Sequence, residues 1–342
     1  MRDIIISDST LRDGNHAIKH KITEEQIVQY CQRAESAGID IIEVGHGNGL
    51  GASSLQLGLS YIPDRFMLRI ARNNLIKAKL GVHIIPGFGT IENDLKVAIE
   101  EGVDIVRVAS HCTEADTTQK QIRYTRDMGK IAYGVLMMSH MVSKDRLLEE
   151  TNKMIDYGAQ AVILMDSAGA YLIEDVKTKI SYLCENTDVL IGFHAHNNLG
   201  LAVANSLTAV EYGATIIDAT INGVGAGAGN TSLQLIVPVL IKANYIINAN
   251  LYDTLELSEY CISKLSFYNP TIDQASIISG LFGVFSGFKT HVTRISKEFG
   301  LNPKDIYKEL GKRNIIAGQE DMIIEVANDL CKSKINSTLK KI

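Results

Sequence analysis

The chain has 342 residues, a formal net charge of −5 and a hydrophobic content of 46%. That length can bury a large core, while no apolar run approaches the roughly 18 residues of a membrane span. Dispersed lysines and arginines leave no basic stripe for nucleic acid, and Cys31, Cys112, Cys184, Cys261 and Cys331 lack any C-x-x-C spacing, as expected of thiols in a reducing compartment such as the cytoplasm.

Met1-Arg2-Asp3 leads into Ile4-Ile5-Ile6, too short an apolar stretch for a signal peptide and well suited to an opening strand. Strand composition then recurs at residues 3–7, 39–44, 81–85, 103–109, 131–137, 161–165, 189–193 and 215–220. Helical spacing falls between these runs at 24–37, 94–101, 118–128, 146–157, 173–186 and 201–212, and Gly38, Gly102, Gly129, Gly158 and Gly213 stand where left-handed caps belong. Strand followed by helix, repeated eight times, predicts parallel strands with helical crossovers and fits a (β/α)8 TIM barrel, an α/β fold; only residues 49–80 are vaguely patterned. The alternation stops near residue 260, and from Ser276 onward the spacing is helical, with Asn302-Pro303 as a helix start. The predicted organisation is a TIM-barrel catalytic domain at 1–262 and a C-terminal helical domain at 263–342.

A barrel gathers its active-site residues at the carboxyl ends of its strands. The expected ends carry Asp8-Ser9-Thr10-Leu11-Arg12-Asp13-Gly14-Asn15-His16, Glu43-Val44-Gly45-His46-Gly47, Ser110-His111-Cys112-Thr113-Glu114 and Asp166-Ser167-Ala168-Gly169. Taken one at a time these are ordinary features: Asp166 and Ser167 suit helix capping, and His46 and His111 suit hydrogen-bonded structural roles. The seventh strand ends in Gly192-Phe193-His194-Ala195-His196-Asn197-Asn198-Leu199-Gly200. Side chains two apart on a strand share a face, so His194 and His196 can address one metal ion. After the eighth strand comes Asn222-Gly223-Val224-Gly225-Ala226-Gly227-Ala228-Gly229-Asn230. It matches a dinucleotide fingerprint only loosely, being at the wrong end of the fold and without the acidic partner about 20 residues on. Its bare amides suit a close approach to a carboxylate or to a metal's surroundings.

Several of these runs, namely Thr10-Leu11-Arg12-Asp13-Gly14-Asn15-His16-Ala17-Ile18, Glu43-Val44-Gly45-His46-Gly47, Ser110-His111-Cys112-Thr113-Glu114-Ala115-Asp116 and His-x-His-Asn-Asn-Leu-Gly, together with Gly318-Gln319-Glu320-Asp321-Met322, strongly resemble the 4-hydroxy-2-oxovalerate aldolases. These are metal-dependent pyruvate-handling barrels, a group that also holds hydroxymethylglutaryl-CoA lyase and isopropylmalate synthase. The resemblance covers nearly the whole chain, including the helical tail that the wider group does not share. It implies retro-aldol cleavage of 4-hydroxy-2-oxo acids such as 4-hydroxy-2-oxopentanoate into pyruvate and an aldehyde, acetaldehyde in that case, within the catabolism of aromatic compounds. An acyl-CoA condensing enzyme or lyase of the same barrel group, or a non-catalytic partner subunit, stands as the alternative.

Such a cleavage must hold the electron pair of a pyruvate enolate. A Schiff-base lysine is one solution, but none of the expected strand ends carries a lysine. The other is a divalent cation, for which Asp13, His194 and His196 supply one carboxylate and two imidazoles. Arg12 can stabilise the enolate oxygen, and His16 can take the C4 hydroxyl proton as general base. Arg12, Ser167, His194 and Phe285 are the candidate substrate contacts, with Ser167 directed at the carboxylate. The resemblance assigns Arg12 and His16 the same roles and Mn²⁺ as the metal; ligand chemistry leaves Co²⁺, Zn²⁺ and Fe²⁺ open, with Mg²⁺ a further candidate. It also implies an acylating acetaldehyde dehydrogenase as partner, docked on residues from about 265 onward. One departure stands out in Gly283-Val284-Phe285-Ser286-Gly287-Phe288, where the family pattern has tyrosine at the position of Phe285.

Overall fold

The computed structural model describes residues 3–265 and 267–339, so Met1, Arg2, Ser266 and the last three residues of the expected tail helix lie outside the described residues. Eight parallel strands close into a barrel in sequence order: β1 (Ile5–Asp8), β2 (Ile41–Glu43), β3 (Lys79–Ile84), β4 (Ile105–His111), β5 (Ile131–Met137), β6 (Ala161–Asp166), β7 (Leu190–Ala195) and β8 (Ile216–Ala219). Closure comes from β1 pairing with β8, with Ser7 opposite Asp218. Around the barrel run α1 (Glu24–Ser36), α2 (Asp64–Asn73), α3 (Lys96–Glu100), α4 (Gln119–Asp127), α5 (Lys144–Asp156), α6 (Ile173–Asn186), α7 (Ala202–Glu211), α8 (Leu233–Lys242) and α9 (Leu251–Tyr260), followed by α10 (Gln274–Leu281), α11 (Lys289–Glu298), α12 (Pro303–Lys312) and α13 (Met322–Leu339). None among the described residues is long and apolar enough to cross a membrane.

Local chemistry sets many of the boundaries. Thr23 caps α1 through a reciprocal bond pair with Gln26, and Asn302 caps α12 with Pro303 in its first turn, as the sequence predicts. The five glycines expected as helix stops all have positive φ. At Gly38 only glycine fits, since a Cβ would stand 2.6 Å from the Asn248 carbonyl oxygen. Helices α2, α8 and α9 are additions to the predicted elements. The short helix α2 buries Met67, Leu68 and Ala71, but it follows a long irregular stretch. Helix α8 carries Pro238 in its interior, where proline ordinarily argues against a helix.

Strand alternation divides the core. Ile6, Ile42, Val82, Val106, Leu164 and Phe193 face the helices, while Ile41, Ile105, Tyr133, Val135, Ile163 and Ile216 fill the barrel axis. The tail builds its own cluster from Val284, Phe288, Val292, Ile306 and Leu310. It also reaches back, because Phe285 and Ala317 pack against the axial cluster. The helical tail therefore covers part of the barrel's carboxyl-end mouth.

Midway along the axis the filling turns ionic. Arg107, 1% exposed, donates to Glu43 Oε2 at 2.9 Å, to Ser7 Oγ at 3.2 Å and to the Asp218 carboxylate. Glu43 in turn receives Arg12 Nε at 3.1 Å. Removing one partner of such a buried set leaves the others desolvated and unpaired, at a cost of about 3–5 kcal/mol. Arg107→Met is therefore expected to lower the free energy of unfolding by that amount in urea titrations. Arg65→Met, whose pairing with Glu101 is half exposed, should change it by no more than about 1 kcal/mol. Equal effects of the two substitutions would mean that the axial network holds nothing in place.

Candidate active site

The loop after β1 turns at once into a single 3₁₀ turn, Asp13–His16, which points Asp13 across the barrel mouth. Its carboxylate is held at both ends. Oδ1 accepts the Ala226 amide at 2.9 Å, and Oδ2 accepts Arg12 Nη1 at 2.9 Å. The first bond shows why the loop after β8 is so rich in glycine: a Cβ on Gly225 would lie 2.8 Å from Asp13 Oδ1, and one on Gly14 would lie 2.7 Å from Val224 Cγ2. The expected close approach of bare main chain to a carboxylate is what the fold builds.

Beyond Oδ2 stand the two imidazoles at the end of β7. His194 Nε2 is 3.7 Å away and His196 Nε2 is 3.9 Å away. Asp13, His194 and His196 are all buried, and their ligand atoms lie within 4.8 Å of one another, the spacing of a metal site. His194 Nδ1 is 2.9 Å from Asp218 Oδ2. Burial opposes ionisation of Asp218, but Arg107 and His194 outweigh it and hold the carboxyl well below the usual range. An ionised carboxylate only accepts, so Nδ1 carries a proton and the ring is oriented with Nε2 toward Asp13; Nε2 is buried with no hydrogen-bond partner. Burial pushes His196 down to about 4, against the pull of Asp13, and so leaves it neutral at pH 7. For Asp13 burial again opposes ionisation, but Arg12 and the neighbouring histidines prevail and keep it anionic. An anionic carboxylate, the neutral His196 and the unpartnered Nε2 of His194 are the donor set a divalent cation takes. These residues fit the ion.

The remaining candidates are spread around this centre. Arg12 spends Nε on Glu43 and Nη1 on Asp13 and the Gly47 carbonyl, which leaves Nη2 only a 3.5 Å contact to Glu43. The His16 ring lies against Gly47, where a Cβ would meet it at 2.5 Å. It sits 4.9 Å from His20, itself stacked on His46 at 3.8 Å. Burial lowers the His16 pKa, Asp13 working in the opposite direction, so it stands as a neutral base. His16 and Phe285 line one cavity of about 430 Å³, together with Gly225 and Ala226. Phe285 packs edge-on against Phe288 at 5.5 Å.

Ser167 follows β6, whose last residue, Asp166, stands opposite Ala195 of β7. Its Oγ accepts the Met138 amide at 3.0 Å and its carbonyl accepts the Ser286 amide at 3.0 Å, leaving the hydroxyl proton to donate. It does not cap α6, whose N-cap is Leu172, and Asp166 instead holds the loop by accepting from Ala170 and Tyr171. His46 and His111 are hydrogen-bonded structural groups, at Gly58 and Thr113. Glu43, Arg107 and Asp218 were not singled out as site residues from the sequence. The signal was present: a lone charge in Ile105-Val106-Arg107-Val108 and another in Ile216-Ile217-Asp218-Ala219, on strands buried on both faces, must be paired with something.

Two family models match the chain, the HMGL-like model over residues 3–261 and the DmpG-like communication domain over residues 270–332. A 4-hydroxy-2-oxovalerate aldolase of Spirochaeta aurantia is 51% identical over 333 residues, 97% of each chain. Its counterpart from Pectobacterium atrosepticum is 50% identical over 339 residues, 99% of each. Among solved structures, the carboxyl transferase domain of Rhizobium etli pyruvate carboxylase superposes with a TM-score of 0.82 at 15% identity, over 97% of this chain and 61% of that one, a likeness of fold alone. Half of the residues are shared with full-length relatives, and the barrel and tail models match in the same order along the sequence: the chain belongs to the 4-hydroxy-2-oxovalerate aldolase family.

Proposed function

We propose that the protein is a metal-dependent aldolase that cleaves 4-hydroxy-2-oxo acids, such as 4-hydroxy-2-oxopentanoate, into pyruvate and an aldehyde. The observation that carries this reading is the Asp13, His194 and His196 triad, with the His194 ring oriented by Asp218. A divalent cation on these ligands, which we take to be Mn²⁺, would supply Lewis acidity at the 2-oxo oxygen. Two guanidiniums, Arg12 and Arg107, face the three carboxylates of Asp13, Glu43 and Asp218, an excess of one negative charge. A bound dication reverses that sign, which favours an oxo acid anion.

The chain's own groups then divide the work. His16 takes the C4 hydroxyl proton, the C3–C4 bond breaks, and its electron pair passes into the enolate while C4 leaves as the aldehyde. Arg12, held in the barrel by Glu43, turns the unspent donors of Nη2 to the enolate oxygen. Ser167 donates its free hydroxyl proton to the substrate carboxylate. The acid form of His16 returns a proton to C3 and completes pyruvate.

We further divide the molecule at residues 262 and 263 into catalytic and docking parts, and assign the tail an acylating acetaldehyde dehydrogenase as partner. The match to a communication domain supports that assignment. Thiols buried at Cys31, Cys112 and Cys261 fit a cytoplasmic setting.

Chelation is expected to abolish pyruvate release and Mn²⁺ to restore it. Calorimetric titration should show about 10- to 100-fold weaker metal binding in Asp218→Asn, which loses the carboxylate orienting His194. Full cleavage by metal-free protein, with a substrate adduct trapped by borohydride, would replace this reading with a lysine mechanism.

For the base, His16→Ala should lower turnover by about 10²- to 10⁴-fold while metal content is retained. His194→Ala should lose the ion. An empty site in His16→Ala would exchange the roles of the two histidines.

Phe285 lacks the hydroxyl expected beside the aldehyde half, one neutral hydrogen bond of about 0.5–1.5 kcal/mol. The wild type should therefore cleave both C4 enantiomers with little discrimination, and Phe285→Tyr should sharpen the difference in kcat/KM. Strong selectivity in the wild type that the added hydroxyl leaves unmoved would remove Phe285 from recognition of C4.

A further inference from the structure

One buried imidazole has no part in the chemistry above. His83 is 3% exposed on β3, where Leu80, Val82 and Ile84 face the helices, so alternation turns His83 to the barrel axis. The register sets it beside Arg107 of β4. Its Nδ1 makes no hydrogen bond: Glu43 Oε1 is 3.5 Å away and already receives Arg12 Nε. Gly49, at φ +92°, lies against the ring, and a Cβ there would stand 3.2 Å from Cδ2 and 2.6 Å from the His83 carbonyl oxygen. Burial, reinforced by Arg12 and Arg107, keeps the imidazole neutral.

Its place on the ring of strands says which part of a substrate it meets. The triad occupies β7 and the loop after β1, and β3 stands across the closed barrel from β7. His16 follows β1 and lies over Gly47, which follows β2, the neighbour of β3. An oxo acid with its oxo end at the triad and its C4 hydroxyl at His16 therefore carries its next carbon toward β3. Two residues beyond His83 on the same face, Ile85 lines a cavity of about 280 Å³ with Ala109, Ser110, Met137 and Ala317 of the tail.

An apolar carbon placed against His83 would leave a desolvated imidazole unsatisfied. A hydroxyl, donor and acceptor at once, matches a neutral imidazole, which is also both. We propose that His83 is a specificity-determining residue that hydrogen-bonds a hydroxyl on C5, so that the preferred substrates are 4,5-dihydroxy-2-oxo acids and the released product is a hydroxyaldehyde. This rests on the aldolase reading. The bond changes are those already described, and the C5 hydroxyl emerges unaltered on the aldehyde.

The test compares two substrates of matched size, 4,5-dihydroxy-2-oxopentanoate and 4-hydroxy-2-oxohexanoate, which differ by hydroxyl against methyl. The wild type is expected to favour the first in kcat/KM by at least about tenfold. His83→Leu should reverse the preference, and His83→Gln, which keeps a donor and an acceptor, should retain part of it even if the leucine variant folds poorly. A wild type that favours the methyl compound, or a ratio left unmoved by both substitutions, overturns the proposal while cleavage of 4-hydroxy-2-oxopentanoate still stands. Failure to release pyruvate from any 4-hydroxy-2-oxo acid, with no deuterium exchange into the methyl group of pyruvate, takes down the aldolase reading and the His83 assignment with it.

Discussion

The carboxylate of Asp218 ties the inside of the barrel to its mouth. The same oxygen, Oδ2, receives Arg107 from the middle of the axis and the Nδ1 proton of His194 at the rim. Because Arg107 and His194 keep that carboxylate ionised against the effect of burial, it holds the imidazole by Nδ1 and leaves the outward nitrogen unpartnered. Arg107 also reaches Glu43, and Glu43 reaches Arg12, whose other nitrogen holds Asp13. Stability and site geometry are therefore set by one chain of charges that runs through β8, β4, β2 and the loop after β1.

Such a chain is a costly way to fill a barrel. Ionic groups withdrawn from water rarely add more stability than apolar side chains of the same volume, and the axial cluster below shows that aliphatic filling was available. What the charges provide is position. Arg12 approaches the mouth with most of its donors already spent, and Asp13 is clamped by a guanidinium on one oxygen and a main-chain amide on the other. Side chains fixed in this way need little rearrangement when charge develops, which is where electrostatic stabilisation of a transition state has most effect.

The tail completes the enclosure. Phe285 and Ala317 descend to the axial cluster, and Ser286 donates its amide to Ser167 and its hydroxyl to Asn198, so the helical region is stitched to the ends of β6 and β7. His140 on the β5 side faces the Gly283 carbonyl at 3.0 Å and adds a third tie. A partner bound to this region would be connected to the mouth through short, buried links.

Periodicity carried the eight strands, their order and the helical tail, because an apolar face repeated every second or every third to fourth residue is a local property that survives in a single sequence. The same alternation placed His194 and His196 on one face, and the density of glycine announced a close main-chain approach before its object, Asp13, could be seen. Helix α8 escaped because Pro238 stands inside it, a residue that read locally breaks a helix. The pairing of Arg107 with Glu43 and Asp218 was beyond reach for another reason: the partners lie 64 and 111 residues away, and only closure of the barrel brings them together. Which nitrogen of His194 is free, and that His83 faces the axis with an unsatisfied nitrogen, are likewise decided by neighbours from distant strands, since hydrogen-bond satisfaction is a property of the packed structure and not of local sequence.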